Sequence, residues 1–224
     1  MNGSLVGVIN AAEKKCTIDE AAMINGVQYE ETTGVFTELD LKILTMIARQ
    51  AAISIETAKM YRELKYLTIT DPITNMYNYR HFAQTLDHEI RRLNRYDGAL
   101  SLMMIDVDDF KSYNDAFGHQ EGDVLLKEMG RAIKENIRDV DVACRYAGDE
   151  FVVILPSTDI AEAKLVGEKI KKKIQGLALK RSITISVGIA KCTNQTNRYE
   201  LILKADMALY QAKKEGKNQV RLNM

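Results

Sequence analysis

The stretch Arg145-Tyr146-Ala147-Gly148-Asp149-Glu150-Phe151 decides how this chain is read. Its Gly-Asp pair lies between two runs that read as strands, Val142 to Tyr146 and Phe151 to Leu155. Gly and Asp tolerate the positive φ of two-residue hairpin turns, so the pattern predicts a tight β-hairpin. Two adjacent carboxylates, Asp149 and Glu150, then sit at its tip. A lone Gly-Asp-Glu is most often a solvated turn. What changes the reading is a second acidic cluster, Asp106-Val107-Asp108-Asp109, directly after the buried-strand candidate Ala99 to Val107.

Outward from these two clusters, strands and helices alternate. A helix is predicted from Tyr79 to Arg95, then a turn at Asp97-Gly98. Two helices flank a break at Gly118, the second from about Gly122 to Ile137. A Lys-rich helix spans Ile160 to Ile174, Ser182 to Ala190 alternates as a strand, Arg198 to Lys214 is helical, and Gln219 to Leu222 closes the chain as a strand. The expected class is α/β, an α+β sandwich: one mainly antiparallel central sheet with helices on its faces, preceded by a long N-terminal helix.

The chain has 224 residues, with Lys plus Arg equal to Asp plus Glu at 31 each, so no net field argues for nucleic acid or a membrane surface. Cys16, Cys144 and Cys192 are too few and too scattered for a disulfide framework or a zinc site, which suits a reducing compartment. No apolar run approaches the roughly 20 residues that span a bilayer, and no signal-peptide pattern opens the chain. A cytoplasmic protein is expected.

Residues 1–36, with one short strand candidate at Leu5 to Asn10, cannot bury a core alone and are expected to be a fragment, a docking element or partly disordered. A helix over 37–68 opens at Thr37, the expected N-cap. Ile43, Met46, Gln50, Ile53, Thr57, Met60, Leu64 and Leu67 recur at alternating spacings of three and four, the seam of a coiled coil or the buried stripe of an amphipathic helix. Asp71-Pro72-Ile73-Thr74 breaks the pattern, because Pro disfavours helix at the preceding residue. The third segment is 69–224.

Residues 71 to 222 resemble a GGDEF domain, the diguanylate cyclase family. The resemblance rests on Asp71-Pro-Ile-Thr with Asn78, on Asp106-Val-Asp-Asp-Phe-Lys-Ser-Tyr-Asn114, and on Gly118-His-Gln-Glu-Gly122-Asp123. It continues in Arg145-Tyr-Ala-Gly-Asp-Glu-Phe and in the tail Ala205-Asp206-Met-Ala-Leu-Tyr210-Gln-Ala-Lys213-Lys-Glu-Gly216-Lys217-Asn218. Phe36 to Leu64 resembles the last helix of a GAF sensor domain, which makes 1–36 a partial GAF-like fragment.

The resemblance implies a polymerase-palm-like fold and the joining of two GTP molecules into cyclic di-GMP with release of two pyrophosphates. Each step is attack of a ribose 3′-hydroxyl on an α-phosphorus, which asks for divalent ions, Mg²⁺ or Mn²⁺. It implies metal ligation by Asp106, the Val107 carbonyl and Asp149, with Asp149 also the proton acceptor and Glu150 its support. Lys111 and Arg145 are implied as positive charge for the triphosphate, with Gly148, Lys213 and Lys217 also on the substrate. Asn114 and Asp123 are the implied guanine readers, beside His119. Arg138 and Asp141 match the inhibitory site for cyclic di-GMP, and a homodimer brings two half-sites together.

Three departures from the family pattern stand out. Ala147 replaces the first signature Gly, which matters only if position 147 needs positive φ. Asn75 and Tyr79 replace the usual Gly and Arg, where an altered turn or salt bridge is expected. Two other functions stay open at this point: a catalytically weak receptor for cyclic di-GMP, and a cyclase of mixed GTP and ATP specificity.

Overall fold

The structure, a computed structural model, describes residues 38–96, 98–193 and 196–223, with the side chains of 63–67 excepted. The GAF-like fragment, its candidate strand, Thr37 and Asp97 lie outside these residues. The chain divides into two units, residues 1–65 and 66–224.

Helix α1 (Glu38–Ile69) is a single run of 32 residues. Glu38 and Asp40 in its first turn complement the positive end of the helix dipole. Of the seam positions, Ile43, Met46, Ile53 and Met60 are exposed, while the Thr57 hydroxyl donates to the Ile53 carbonyl at 2.8 Å and is satisfied within the helix.

The second unit is built on a sheet of β1 (Leu100–Val107), β2 (Val142–Ala147), β3 (Glu150–Pro156), β4 (Ile185–Lys191) and β5 (Val220–Asn223), in the order β2-β3-β1-β4-β5. Every pairing is antiparallel except the one between β4 and β5. The helices are α2 (Tyr79–Tyr96), α3 (Phe110–Phe117), α4 (His119–Lys134), α5 (Ile160–Gln175) and α6 (Arg198–Lys214). Alternation along β1 sorts the core into two layers. Met103, Ile105 and Val107 join a cluster with Leu125, Met129, Ile133 and Ile170 of α4 and α5. Leu100, Leu102 and Met104 join one with Phe82, Leu86, Leu201 and Leu209 of α2 and α6.

Close approach fixes α6 on the sheet. A Cβ at Gly188 in β4 would fall 2.2 Å from the Ala205 carbonyl oxygen and 2.2 Å from the Leu209 nitrogen, so only glycine allows this contact. That approach carries Lys213, near the end of α6, to the end of β1.

The sequence places most elements well, and the differences have local causes. Helix α4 starts at His119 rather than Gly122, because the break is confined to Gly118 at φ +86°. Strand β4 starts at Ile185 rather than Ser182, because the Thr184 carbonyl accepts the Asp108 N–H at 3.0 Å instead of joining the β1–β4 ladder. Among the described residues no helix is long and apolar enough to cross a membrane.

Candidate active site

The hairpin tip and the end of β1 meet in register. Asp106 pairs with Glu150 across β1 and β3, which puts both side chains on the α6 face of the sheet. The Val107 N–H donates to the Asp149 carbonyl at 3.4 Å and ties the turn to β1. Asp106 is buried, and the Lys213 ammonium lies 2.7 Å from its Oδ2. Burial raises the Asp106 pKa, Lys213 opposes that rise, and the Asp149 and Asp108 charges add to it. Burial also raises Glu150, reinforced by Asp106, Asp149 and Asp206 and opposed by Lys213. These carboxylates repel one another, and one ammonium partly neutralises the group.

The turn itself is Gly148-Asp149, with Ala147 paired to Glu150. Gly148 has φ +44°, and neither Asp149 nor Ala147 has positive φ. Glycine alone carries positive φ in this turn, rather than the shared positive φ the sequence suggested. The Ala147 methyl is exposed and costs the backbone nothing.

Arg145, expected beside a triphosphate, is also tied into the fold: Nη1 donates to both carboxylate oxygens of Asp71 at 3.1 and 3.0 Å, and Nε to the Gly148 carbonyl at 2.8 Å. Both partners of the ion pair are largely buried, with 13% and 16% of the side chains exposed. Burial pushes the Asp71 carboxyl up. The Thr74 N–H and hydroxyl together with Arg145 outweigh that and hold it below its ordinary value. Arg145 thus clamps the hairpin turn to the Asp71-Pro72-Ile73-Thr74 loop. Asn75 in that loop has φ +56°, a conformation Asn tolerates in place of Gly. Tyr79 stacks edge-on against Tyr146, ring centroids 5.2 Å apart, where a salt bridge was the alternative.

Beyond β1 the chain turns sharply. Asp108 is buried and accepts from the Thr184 hydroxyl at 2.6 Å, the Ser186 hydroxyl at 2.7 Å and the Asn218 N–H at 3.0 Å. It is a structural carboxylate that joins β1, β4 and the turn after α6. Asp109 (φ +58°) and Lys217 (φ +61°) both adopt the left-handed conformation and form an ion pair at 2.7 Å. For Lys that conformation costs about 1–2 kcal/mol. Lys111 is exposed in the first turn of α3 and has no ion pair among the described residues.

Asn114 of α3 and Gly122 of α4 meet so closely that a Cβ at 122 would lie 1.9 Å from the Asn114 Oδ1. That oxygen is buried and has no hydrogen-bond partner among the described residues. A buried acceptor normally finds a donor, and this one stands out for having none among the described residues. Asp123 and His119 lie exposed on α4, within and next to the same turn.

Arg138 and Asp141 stand at the other end of the hairpin. Six residues of β2 separate Asp141 from Gly148, roughly 20 Å of extended chain. Asp141 has only 1% of its side chain exposed and accepts from the Arg138 N–H at 2.8 Å and Nη2 at 3.2 Å. Nη2 also reaches the Pro156 carbonyl and the Thr158 hydroxyl, while 56% of the Arg138 side chain stays exposed.

Sequence reasoning missed Asp71, Asp108, Asp109 and Asp206 as partners. Asp206 had a signal: it lies seven residues before Lys213, on the same face of α6. A cleft of about 420 Å³ opens there, lined by Glu150, Asp206, Met207, Tyr210, Gln211 and Lys213 among others. Among the described residues no three His, Cys, Asp or Glu side chains gather as a ready-made metal cage. Two mutually repelling carboxylates with an ammonium beside them suit a hard cation that takes its remaining ligands from phosphate and water.

Comparison with known proteins gives a consistent picture. Residues 68–219 match the family model described as diguanylate cyclase, GGDEF domain. Response regulator PleD of Caulobacter vibrioides is 35% identical over 82% of this chain and 42% of its own length. Diguanylate cyclase A of Treponema denticola is 33% identical over 86% of this chain and 53% of its own length, so the chain spans about half of the curated relatives it matches. The crystal structure of the coiled coil and GGDEF domain of DgcB from Caulobacter crescentus, in complex with c-di-GMP, superposes with TM-score 0.76 at 26% identity. It covers 80% of this chain and 98% of that one.

Proposed function

This chain belongs to the GGDEF, diguanylate cyclase family, and we propose that it condenses two GTP molecules into cyclic di-GMP across a homodimer. The observation that carries the reading is the meeting of Asp106, Asp149, Glu150 and Lys213 where β1 ends beside the hairpin turn.

In this reading Asp106, Asp149 and the Val107 carbonyl hold a divalent cation, Mg²⁺ or Mn²⁺. When bound, it stabilises charge on the phosphates and on the attacking oxygen. Asp149, at the tip, accepts the proton of the incoming 3′-hydroxyl. Glu150 supports that step from the adjoining position, its pKa raised by burial. Lys111, Lys213 and Lys217 supply positive charge to the phosphates, and Gly148 lets the backbone approach them. Arg145 keeps the turn in place through Nε and Nη1, and its Nη2, which makes no hydrogen bond among the described residues, is left for the triphosphate.

The unpartnered Asn114 oxygen supports guanine, whose N1–H and exocyclic amine are donors at an edge where adenine has only one donor. Asp123 adds a second acceptor, and His119 lies beside them. The half-exposed Arg138, braced by buried Asp141, suits a phosphate of cyclic di-GMP. The exposed apolar seam of α1 supports pairing of two chains, each presenting one GTP to the other.

The test is product analysis: nucleotide-free protein, GTP and Mg²⁺, with and without ATP, resolved on a column. Cyclic di-GMP that disappears in Asp149→Ala is the expected result. No product, together with cyclic di-GMP binding lost in Arg138→Ala, replaces the enzyme with a receptor.

A further inference from the structure

We propose that Asp109 sets the affinity of the phosphate site, by competing with a nucleotide's polyphosphate tail for the Lys217 ammonium. The inference rests on the nucleotide reading above and adds a residue to it.

Four observations carry it. First, Asp109 occupies the N-cap position of α3, where its carbonyl takes the Tyr113 N–H at 3.1 Å, yet its side chain accepts nothing from the helix. An aspartate there usually takes the N–H of the second or third helical residue. Here its left-handed backbone, φ +58°, accompanies a carboxylate paired with Lys217 at 2.7 Å. The first-turn N–H groups of α3 are therefore left without that cap, beside the place a phosphate would take.

Second, the pair does little for the fold. Lys217 and Asp109 have 42% and 62% of their side chains exposed, and ion pairs so open to water stabilise weakly. Third, the turn that presents Lys217 is already fastened without Asp109. The Asn218 N–H binds Asp108 at 3.0 Å, and the Lys217 N–H binds the Ala212 carbonyl at 3.0 Å. Fourth, Gly216, Lys217 and Asn218 all have positive φ, and so does Asp109. Strained backbone at both ends of a weak pair is characteristic of a functional site rather than of a stabilising contact.

The consequence is a charge exchange. Polyphosphate has to take Lys217 from Asp109 or share it, so Asp109 weakens binding by up to the worth of the pair. Exposed pairs of this kind correspond to about a two- to fivefold change in an equilibrium constant. Direct repulsion between Asp109 and phosphate would have the same sign, and the two are separable through Lys217.

The experiment is a double-mutant cycle on the full chain, with inorganic tripolyphosphate as the titrated ligand. Asp109→Asn removes the charge and keeps a residue that tolerates left-handed backbone. It should tighten tripolyphosphate binding about two- to fivefold. In a Lys217→Gln background the same substitution should give no gain. A gain of equal size in that background, no gain in the first, or a parent chain that binds no tripolyphosphate overturns the proposal. Tripolyphosphate that follows the cycle while GTP yields no cyclic di-GMP refutes the cyclase reading and leaves Asp109 standing. GTP turnover with an unaltered Asp109→Asn affinity does the reverse.

Discussion

Gly122→Ala separates folding from base recognition in a single methyl group. The added Cβ would sit 1.9 Å from the Asn114 Oδ1 and 3.3 Å from the Phe110 ring edge. The near atom is the end of a flexible side chain, so Asn114 rotates away and α4 stays in place. An off-rotamer asparagine costs about 0.5–1.5 kcal/mol. Replacing glycine inside α4 returns about 1 kcal/mol of helix propensity. The net change in stability should therefore lie within about 1 kcal/mol of zero, close to invisible in a urea melt. If guanine binds Asn114 as proposed, it should lose that acceptor and leave a donor unpaired, a cost of about 1–3 kcal/mol or roughly 5- to 150-fold in Kd. Calorimetric titration with GTP and with inorganic tripolyphosphate reads the two halves of the ligand separately. GTP should weaken within that range while tripolyphosphate holds steady. An unchanged GTP affinity refutes a base contact at Asn114, and a parallel loss of tripolyphosphate refutes the division of the site into base and phosphate halves.

Two further perturbations probe the carboxylates. Asp71→Asn breaks the clamp on the hairpin turn; full burial would make this cost 3–5 kcal/mol, and partial exposure reduces it to about 2 kcal/mol at neutral pH. Because the Asp71 carboxyl lies below its ordinary value, its stabilisation is complete above the ordinary carboxylate range and fades as pH falls through the folded value. Melts of parent and variant should therefore converge in acid, and a gap that widens there refutes the assignment. Glu150 has the opposite sign. Its raised pKa means the fold disfavours its ionised form, a penalty absent below the ordinary carboxylate range and complete above the folded value. Glu150→Gln should raise the Tm near neutral pH, leave it unchanged in acid and lower the rate of cyclic di-GMP synthesis. A lower Tm at neutral pH refutes the reasoning.

The elements were legible where one local signal sufficed. Helix α6 runs from Arg198 to Lys214 as the sequence indicates, since Asn197 caps it by accepting the Glu200 N–H at 3.0 Å. The hairpin was legible from the Gly148-Asp149 pair between two strand-like runs. Partnerships across the chain were not. Arg145 displays a charge in the sequence, but its partner Asp71 lies 74 residues away, and only the fold brings the two together. The start of β4 was hidden for the same reason, because the Thr184 hydroxyl and carbonyl both serve the Asp108 stretch, 76 residues upstream by the hydroxyl bond. Acidic residues at 106, 108 and 109 look alike in sequence. Burial and distinct partners give them three roles.

Those roles amount to a division of charge at the end of β1. Asp108 is balanced by hydroxyl and N–H donors and is part of the scaffold. Asp106 and Asp109 are balanced by Lys213 and Lys217, the ammonium groups proposed to hold phosphate. Glu150 has no ion pair among the described residues and responds by a raised pKa. In the proposed reading, polyphosphate that draws the lysines away would leave the carboxylates less compensated, so a cation should bind more tightly with polyphosphate present than without it. Linkage makes the effect reciprocal, and the cation tightens polyphosphate by the same factor. Under the proposed function, a site balanced in this way should respond to nucleotide and cation jointly, as a reaction at a phosphorus centre requires.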